Sequence, residues 1–157
     1  MGRVADLYAR VSPRLAHGPG SAAFSRSHAW LLRRSGGRLG RRFMGGDVLV
    51  LRTVGRKSGE LREAPMFFVP FRDGWAVVAS NAASRRPPAW WLNLQARPEA
   101  HALVPGGGSW TAVRARRASE AERDELWPRF VAMYRGYDRY AEIATREMPV
   151  VALEPRA

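Results

Sequence analysis

The sequence predicts an α+β domain built on a closed antiparallel sheet of five or six strands, with helices at the N-terminus and around the periphery. After Gly45-Gly46, short apolar runs alternate with turns rich in glycine and proline, which is typical of antiparallel strands. Most of these runs are joined by tight turns, which favours closure of the sheet. The chain has 157 residues, enough for one domain that buries its own core.

The elements follow in order along the chain. Two helices are predicted first, Val4–Leu15 and Ser21–Phe43, the second broken or kinked at Gly36-Gly37. The predicted strands are Val48–Val54, Leu61–Phe71, Trp75–Ser80, His101–Val104, Trp110–Arg116 and Pro149–Leu153. The later predicted helices are Ala89–Ala96, Ser119–Tyr134, with Ser119 and Glu122 as a capping box, and Tyr137–Thr145. We therefore divide the chain into a basic helical segment, residues 1–46, and a barrel domain, residues 47–157.

Composition argues against several kinds of chemistry. The chain has no cysteine, which removes disulfides, thiolate metal sites and a cysteine nucleophile. His17, His28 and His101 have no metal-ligand spacing, so no metal site is predicted. No serine lies in a GxSxG elbow, and no apolar run reaches the roughly 20 residues of a membrane span. We expect a cytoplasmic protein that is not a hydrolase.

The net charge of +12 is concentrated near the N-terminus. Residues 1–46 hold nine arginines and one aspartate, so this segment carries +8 and the remainder +4. Such a field attracts anions, which leaves two hypotheses open: peripheral contact with an anionic membrane and binding of nucleic acid. Charge alone supports nucleic acid, since no binding module is recognisable. A solvated arginine face is the ordinary alternative to both.

The segment Gly55–Gly59, GRKSG, is the strongest candidate for a binding site. Two glycines bracket Arg56, Lys57 and Ser58, which all donate hydrogen bonds to anions, and Arg62 follows on the next strand. Lys57 is the only lysine in the chain. Glycines let backbone N–H groups turn toward a ligand, as in phosphate-binding nests. A solvated basic hairpin is the alternative interpretation.

Two further segments carry polar and aromatic side chains suited to a flat ring. Ser80 and Asn81 end a strand and precede Ala89-Trp90-Trp91 at the start of a helix. Such a pair of elements can clamp a ring by hydrogen bonds and apolar contact. We expect Trp91 to fill the core and Trp90 to be the one available to a ligand. Three tyrosines spaced by three, Tyr134, Tyr137 and Tyr140, form either a core stripe or a pocket wall.

Taken together, three segments resemble the deazaflavin-dependent nitroreductase family. They are LRTVGRKSGELREAPMFF, AVVASNAASRRPPAWWLNLQARP and MYRGYDRYAEIATREMPVVALEP, which occur in this order between Val48 and Pro155. The resemblance implies a split β-barrel that binds coenzyme F-420, with FMN the less favoured cofactor. It implies a reductase that passes a hydride to a small-molecule acceptor such as a quinone or a nitroaromatic compound, as a monomer or a homodimer.

The resemblance also implies roles for particular residues. The cofactor's phosphate and tail would be held by Arg56, Lys57, Ser58 and Arg62. Its ring would be lined by Ala64, Pro65, Met66, Val78, Ala79, Ser80 and Asn81, and closed off by Ala89, Trp90 and Trp91. Tyr137 would face the ring or the substrate, with Tyr134 beside the substrate. Asn81 stands where the family often has lysine, so its contact is a departure from the family pattern.

Two functions remain open at this stage. The first is the reductase, for which a basic groove suits a cofactor with a phosphate and a glutamate tail. Because the cofactor ring carries the redox chemistry, the protein needs no acid–base pair of its own, and no catalytic residue is assigned. The alternative is a carrier or sensor that holds a deazaflavin, FMN or haem on the same fold without catalysis.

Overall fold

The computed structural model describes residues 21–35, 39–43 and 45–157; the helix predicted at Val4–Leu15 lies outside them. The strands are β1 (Arg42–Phe43), β2 (Gly46–Val54), β3 (Leu61–Phe71), β4 (Gly74–Val78), β5 (Glu99–Leu103), β6 (Trp110–Arg117) and β7 (Val150–Pro155). The helices are α1 (Ser21–Arg34), α2 (Ala89–Ala96), α3 (Glu120–Met133) and α4 (Gly136–Ile143), and a 3-10 turn covers Asn81–Ala83.

Strands β2 to β7 close into a six-stranded antiparallel barrel. The strands are hydrogen-bonded in the order β2-β3-β4-β7-β6-β5, and β5 pairs again with β2. This closing register runs from Val50 opposite Leu103 to Arg52 opposite His101. The two-residue strand β1 extends the sheet beside the start of β2. The predicted antiparallel barrel of five to six strands, with peripheral helices, is therefore confirmed.

Alternation along the strands sorts the apolar side chains between the inside and the outside of the barrel. The interior cluster contains Leu49, Leu51 and Val77, and α2 adds Trp91 and Leu94 to it. The outer faces are covered by helices: α1 packs Ala29 and Leu32 over Val48 and Val50, and α3 packs Leu126 and Phe130 over Val69 and Ala76. Every functional segment considered below is attached to this rigid frame.

The helix predicted at Ser21–Phe43 is wrong in its second half. The helix ends at Arg34, and Arg42–Phe43 pairs as β1 with the start of β2. Beyond the helix, the Ser35 hydroxyl accepts a hydrogen bond from the Leu39 N–H at 2.9 Å, a local alternative to helical bonding that serine often provides. Gly40 has a φ of +76°, which no right-handed helix contains. Leu39 is 59% exposed, so it is no part of a buried helical face.

The capping box predicted at the start of α3 is confirmed and belongs to a larger ion-pair network. The Ser119 N–H donates to Glu122 Oε2 at 2.9 Å, and the Glu122 N–H donates back to the Ser119 hydroxyl at 3.3 Å. Arg116 grips both carboxylate oxygens of Glu122, at 2.6 and 2.8 Å, and Arg72 approaches at 2.9 Å. The Glu122 side chain is only 11% exposed, so this network ties α3 to β6 and to the β3–β4 turn.

We expect Glu122 to make stability depend on pH in acid. Its hydrogen bonds from Arg116 and from the Ser119 amide lower its pKa from 4.5 to about 2. Because the folded-state pKa is the lower one, the stabilisation is complete above pH 4.5 and is lost as the pH falls toward 2. Between pH 5 and 2 the free energy of unfolding should fall by about 2 kcal/mol more than in Glu122→Gln.

Urea unfolding at several pH values measures this difference. Glu125→Gln, at an exposed position of the same helix, is the matched control and should retain the wild-type pH dependence. Equal acid sensitivity of wild type and Glu122→Gln would show that the network does not contribute to stability.

Candidate cofactor-binding site

The Gly55–Gly59 turn connects β2 to β3 and is held closed by its own backbone. The Gly55 N–H donates to the Glu60 carbonyl at 2.7 Å, and the Gly59 N–H donates to the Gly55 carbonyl at 2.7 Å. Gly59 has a φ of +72°, which side chains rarely tolerate. A Cβ at Gly55 would lie 2.7 Å from Ser58 Oγ. Gly59 is thus favoured by its backbone conformation, and a side chain at Gly55 would have to displace the Ser58 hydroxyl.

The cationic side chains of this turn extend into solvent. Arg56, Lys57 and Arg62 are all exposed. Arg62 pairs with Glu60 at 2.6 Å, but both side chains are at least 60% exposed, so the pair is weak and an anion can compete for it. Among the residues that the structure describes, no carboxylate forms an ion pair with Lys57. Among the described residues, Arg56 and Lys57 therefore have no carboxylate partner, whereas Arg62 has the exposed Glu60.

A buried amide, Asn93 of α2, anchors the turn to the barrel. Asn93 Oδ1 accepts from the Arg56 N–H at 3.1 Å and from Arg56 Nη1 at 3.3 Å, and its Nδ2 donates to Thr53 Oγ1 at 3.1 Å. Asn93 and Thr53 are 4% and 2% exposed. Sequence reasoning missed this residue. The sequence does contain an indication of it: Asn93 is a polar residue next to Leu94, on the side of the helix that faces the barrel.

Replacing Asn93 by alanine should loosen the turn and destabilise the fold. The substitution leaves Thr53 Oγ1 and the Arg56 N–H without their partner, which should lower the free energy of unfolding by about 2 kcal/mol. Amide exchange at Arg56 should accelerate, as measured by NMR. Gln95→Ala, at an exposed position of the same helix, should change neither quantity. Unaltered exchange at Arg56 would contradict the anchoring role.

Strand alternation divides the predicted ring-lining residues between two sides of the sheet. Ala64 lies opposite the interior residue Leu51, Met66 packs on the interior cluster, and Ala79 belongs to it. Pro65 lies opposite Val50, on the face covered by α1, and Val78 joins the cluster under α3 and α4. A ring inside the barrel mouth would therefore meet the backbone, not the side chains, of Pro65 and Val78.

The aromatic part of the site lies at the start of α2. Trp91 is 9% exposed and belongs to the interior cluster, as expected, whereas Trp90 is only partly buried and packs on that cluster. The two indole rings meet edge to face with centroids 6.4 Å apart. Ala89 is exposed. Trp90, Met66 and Ala79 thus contribute to the same interior cluster, and the ring wall assigned to them stays a prediction.

The three tyrosines form one buried cluster on the other side of β4. Tyr134 ends α3, and the rings of Tyr134, Tyr137 and Tyr140 meet edge to face at centroid distances of 5.7 to 6.1 Å. Each is at most 6% exposed. Gly136 makes this packing possible, because a Cβ there would lie 2.2 Å from the Tyr134 ring. The tyrosines are thus core residues in the described fold.

Two properties of this cluster are unusual for core residues. The Tyr134 hydroxyl is buried without a hydrogen-bond partner among the described residues, although buried polar groups are normally satisfied. Burial, reinforced by the neighbouring phenols, raises the pKa of Tyr137 well above its ordinary value. The Tyr137 phenol therefore stays protonated at neutral pH, and the Tyr134 hydroxyl has a donor that no described residue uses.

The barrel and the donor set together define a class of protein: a split β-barrel with a glycine-bracketed cationic turn suited to an anionic redox cofactor. The family model for the F420H(2)-dependent quinone reductase matches residues 24–155. The chain belongs to the F420H(2)-dependent quinone reductase family. The predicted split barrel, the deazaflavin cofactor and the reductase class are thereby confirmed, and membership favours the enzyme over the carrier alternative.

Individual relatives agree with this assignment. A Mycobacterium tuberculosis protein, provisionally named an F420H(2)-dependent quinone reductase, is 37% identical over 109 residues, covering 69% of this chain and 90% of that protein. A solved F420-H2 dependent reductase (FDR-A) has a TM-score of 0.60 at 29% identity, covering 68% of this chain and 93% of that one. Another solved neighbour, described as a domain-swapped dimer, has a TM-score of 0.64 at 26% identity, covering 82% and 96%.

Proposed function

We propose that this chain transfers a hydride from reduced coenzyme F-420 to a quinone or a similarly electron-poor acceptor, with the Gly55–Gly59 turn binding the cofactor's phosphate. The observation that supports the binding mode most strongly is Lys57. It stands at the tip of a rigid turn, and no described carboxylate pairs with it. Together with Arg56 and Arg62 it creates a local positive potential that attracts anions.

The donor set fits the cofactor's phosphate and acidic tail. Arg56 and Arg62 provide planar forks, Lys57 a point charge and Ser58 a hydroxyl, from the turn and the start of β3. The Asn93 side chain holds Arg56 in place by accepting hydrogen bonds from the Arg56 backbone N–H and from its guanidinium. The exposed Glu60–Arg62 pair can open when a stronger anion arrives. The turn therefore binds and orients without needing to refold.

The apolar end of the barrel would hold the ring and exclude water. Ala64, Met66 and Trp90 are partly exposed and offer an uncharged surface beside the interior cluster, to which the buried Ala79 belongs, as ring-binding sites usually do. When bound, coenzyme F-420 supplies the hydride. Tyr134 and Tyr137 are each 4% exposed, so their predicted donation to an acceptor oxygen that gains negative charge would require the tyrosine cluster to open toward the acceptor.

Anaerobic mixing of the purified protein with reduced coenzyme F-420 and menadione tests the proposal. We expect cofactor absorbance to recover with menadione as acceptor, well above the protein-free rate, and titration to show binding of the deazaflavin but not of FMN. Tight binding with no turnover on quinones or nitroaromatics would instead support the carrier alternative. No deazaflavin binding would contradict both functions.

A second proposal concerns the surface around α1, which we infer contacts anionic lipid. Among the described residues no helix is long and apolar enough to cross a membrane. Trp30, Leu31 and Leu39 are nevertheless 53%, 36% and 59% exposed. The same segment of the chain carries five exposed arginines: Arg26, Arg33, Arg34, Arg41 and Arg42. Large apolar side chains can insert between lipids, and arginines close to them in the chain can bind anionic headgroups.

Removing the exposed apolar side chains should release the protein from vesicles. We expect wild type to float with anionic liposomes at low salt, and Trp30→Ser with Leu31→Ser to lower the partition coefficient by about 10-fold. Ile143→Ser, which removes an exposed residue of α4, is the matched control. Absence of flotation by wild type would contradict lipid contact, and salt-sensitive binding to DNA in its place would favour nucleic acid.

A further inference from the structure

The loop between β4 and α2 contains a backbone conformation that its sequence does not favour. Asn81, Ala82 and Ala83 have φ angles of +45°, +47° and +59° in succession. Asparagine tolerates the left-handed region, but alanine rarely occupies it because its Cβ crowds the following carbonyl oxygen. Two consecutive alanines there persist only if the surrounding structure holds them. The source of that constraint is therefore of interest.

One side chain, Arg146, binds the loop on both sides of the left-handed turn. Its Nη1 and Nη2 donate to the carbonyls of Ala79 and Ser80, at 3.1 and 2.7 Å, before the turn. Its Nε donates to the Ser84 carbonyl at 2.8 Å, after the turn. A guanidinium offers its donors in a fixed planar fork. The separation of these carbonyls is thus fixed by a rigid group.

The turn lies between the two parts of the candidate site. Ala79 and Ser80, at its start, belong to the predicted ring wall, and the loop leads on to Ala89 and Trp90. Ala82 and Ala83 pack on the tyrosine cluster. A change in the turn would therefore displace the wall, the start of α2 and the tyrosines relative to one another.

We propose that Arg146 is a positioning residue: by clasping the carbonyls of Ala79, Ser80 and Ser84 it holds the left-handed turn, and with it the wall that receives the cofactor ring. This inference rests on the proposed function. Nη1 also donates to the Glu147 carbonyl at 2.9 Å, so four of the five guanidinium N–H groups are engaged. Arg146 has little capacity left to bind an anion itself.

Arg146→Lys tests the clasp because it keeps the charge and removes the fork. In the cofactor-free protein, amide exchange at Ala83 and Ser84, which donate to Ser80 and Asn81 carbonyls, should accelerate at least about 10-fold. The matched control Arg139→Lys, at an exposed residue paired with Glu142, should leave exchange there unchanged. Equal exchange in wild type and Arg146→Lys would overturn the inference.

Deazaflavin titration provides the second readout. Arg146→Lys should raise the Kd for reduced coenzyme F-420 by about 10-fold, with little change of turnover at saturation. Adding Ala82→Gly and Ala83→Gly should bring the Kd back to within about threefold of wild type, because glycine accepts positive φ without strain.

The glycine rescue and the titration of wild type distinguish failure of this inference from failure of the proposed function. Rescue by glycine supports positioning, since glycine cannot replace a lost charge contact; absence of rescue overturns it. Wild-type protein that binds no deazaflavin would contradict the proposed function. If wild type and Arg146→Lys bind it equally, only the inference about Arg146 fails.

Discussion

Neutralising Arg56, Lys57 and Arg62 together should raise the Kd for reduced coenzyme F-420 by about 100-fold to 1,000-fold. Each charge-assisted hydrogen bond to an anion contributes about 1.5–3 kcal/mol. These side chains are exposed, so screening by water and salt reduces the total below the simple sum. We therefore expect Arg56→Gln, Lys57→Met and Arg62→Gln together to abolish binding at micromolar cofactor and to remove most of its salt dependence.

Titration by fluorescence at two ionic strengths measures both effects. The control removes the same net charge elsewhere, with Arg114→Gln, Arg139→Gln and Arg156→Gln, all on exposed arginines paired with glutamates. It should change Kd less than about threefold, because distant exposed charges are screened. If the cluster variant keeps wild-type affinity, the turn is only a solvated hairpin and the phosphate binds elsewhere.

The second large effect concerns stability and arises at Gly74, the first residue of β4. A Cβ there would lie 2.2 Å from the Leu153 carbonyl oxygen and 2.7 Å from Pro155 Cδ. Because the first of these atoms belongs to the backbone of β7, no side-chain rotation relieves the clash. Gly74→Ala should force β4 and β7 apart and lower the free energy of unfolding by about 3 kcal/mol. The midpoint of thermal unfolding should fall by about 6–10 °C.

Gly107, in the turn between β5 and β6, is the control for the effect of Gly74→Ala on stability. A Cβ at Gly107 would meet the Val104 carbonyl oxygen at 3.4 Å, an ordinary contact, so Gly107→Ala should stay within about 0.5 kcal/mol of wild type. Differential scanning calorimetry on both variants decides the matter. Similar midpoints of thermal unfolding for Gly74→Ala and Gly107→Ala would show that β4 and β7 can move apart at Gly74 with little loss of stability.

Elements with strong local signals were predictable from the sequence. β3 has the predicted bounds Leu61–Phe71, and α2 has the predicted bounds Ala89–Ala96. The first follows a glycine-bracketed turn, and the second follows a proline pair that presets the helix start. Ser119 and Glu122 predicted the start of α3, because they form a capping box. In each case the decisive interactions join residues close in sequence.

Features that depend on distant partners were not predictable in the same way. Asn93 gains its role from Thr53, forty residues away. Arg146 reaches carbonyls more than sixty residues earlier. A single sequence carries propensity and periodicity but no record of such contacts. The roles of Tyr134 and Tyr137 toward an acceptor stay predictions for the same reason.

Closure of the barrel has a kinetic consequence for the newly made chain. The β2–β5 pairing joins Val50 to Leu103, and the β4–β7 pairing joins Trp75 to Leu153, so that segments of about fifty and eighty residues must be looped out first. Such non-local topologies fold slowly, over milliseconds to seconds. Until closure, the edges of β2 and β5 are open to strands of other chains. Dilute solution and slow synthesis should therefore favour recovery of the closed barrel over aggregates.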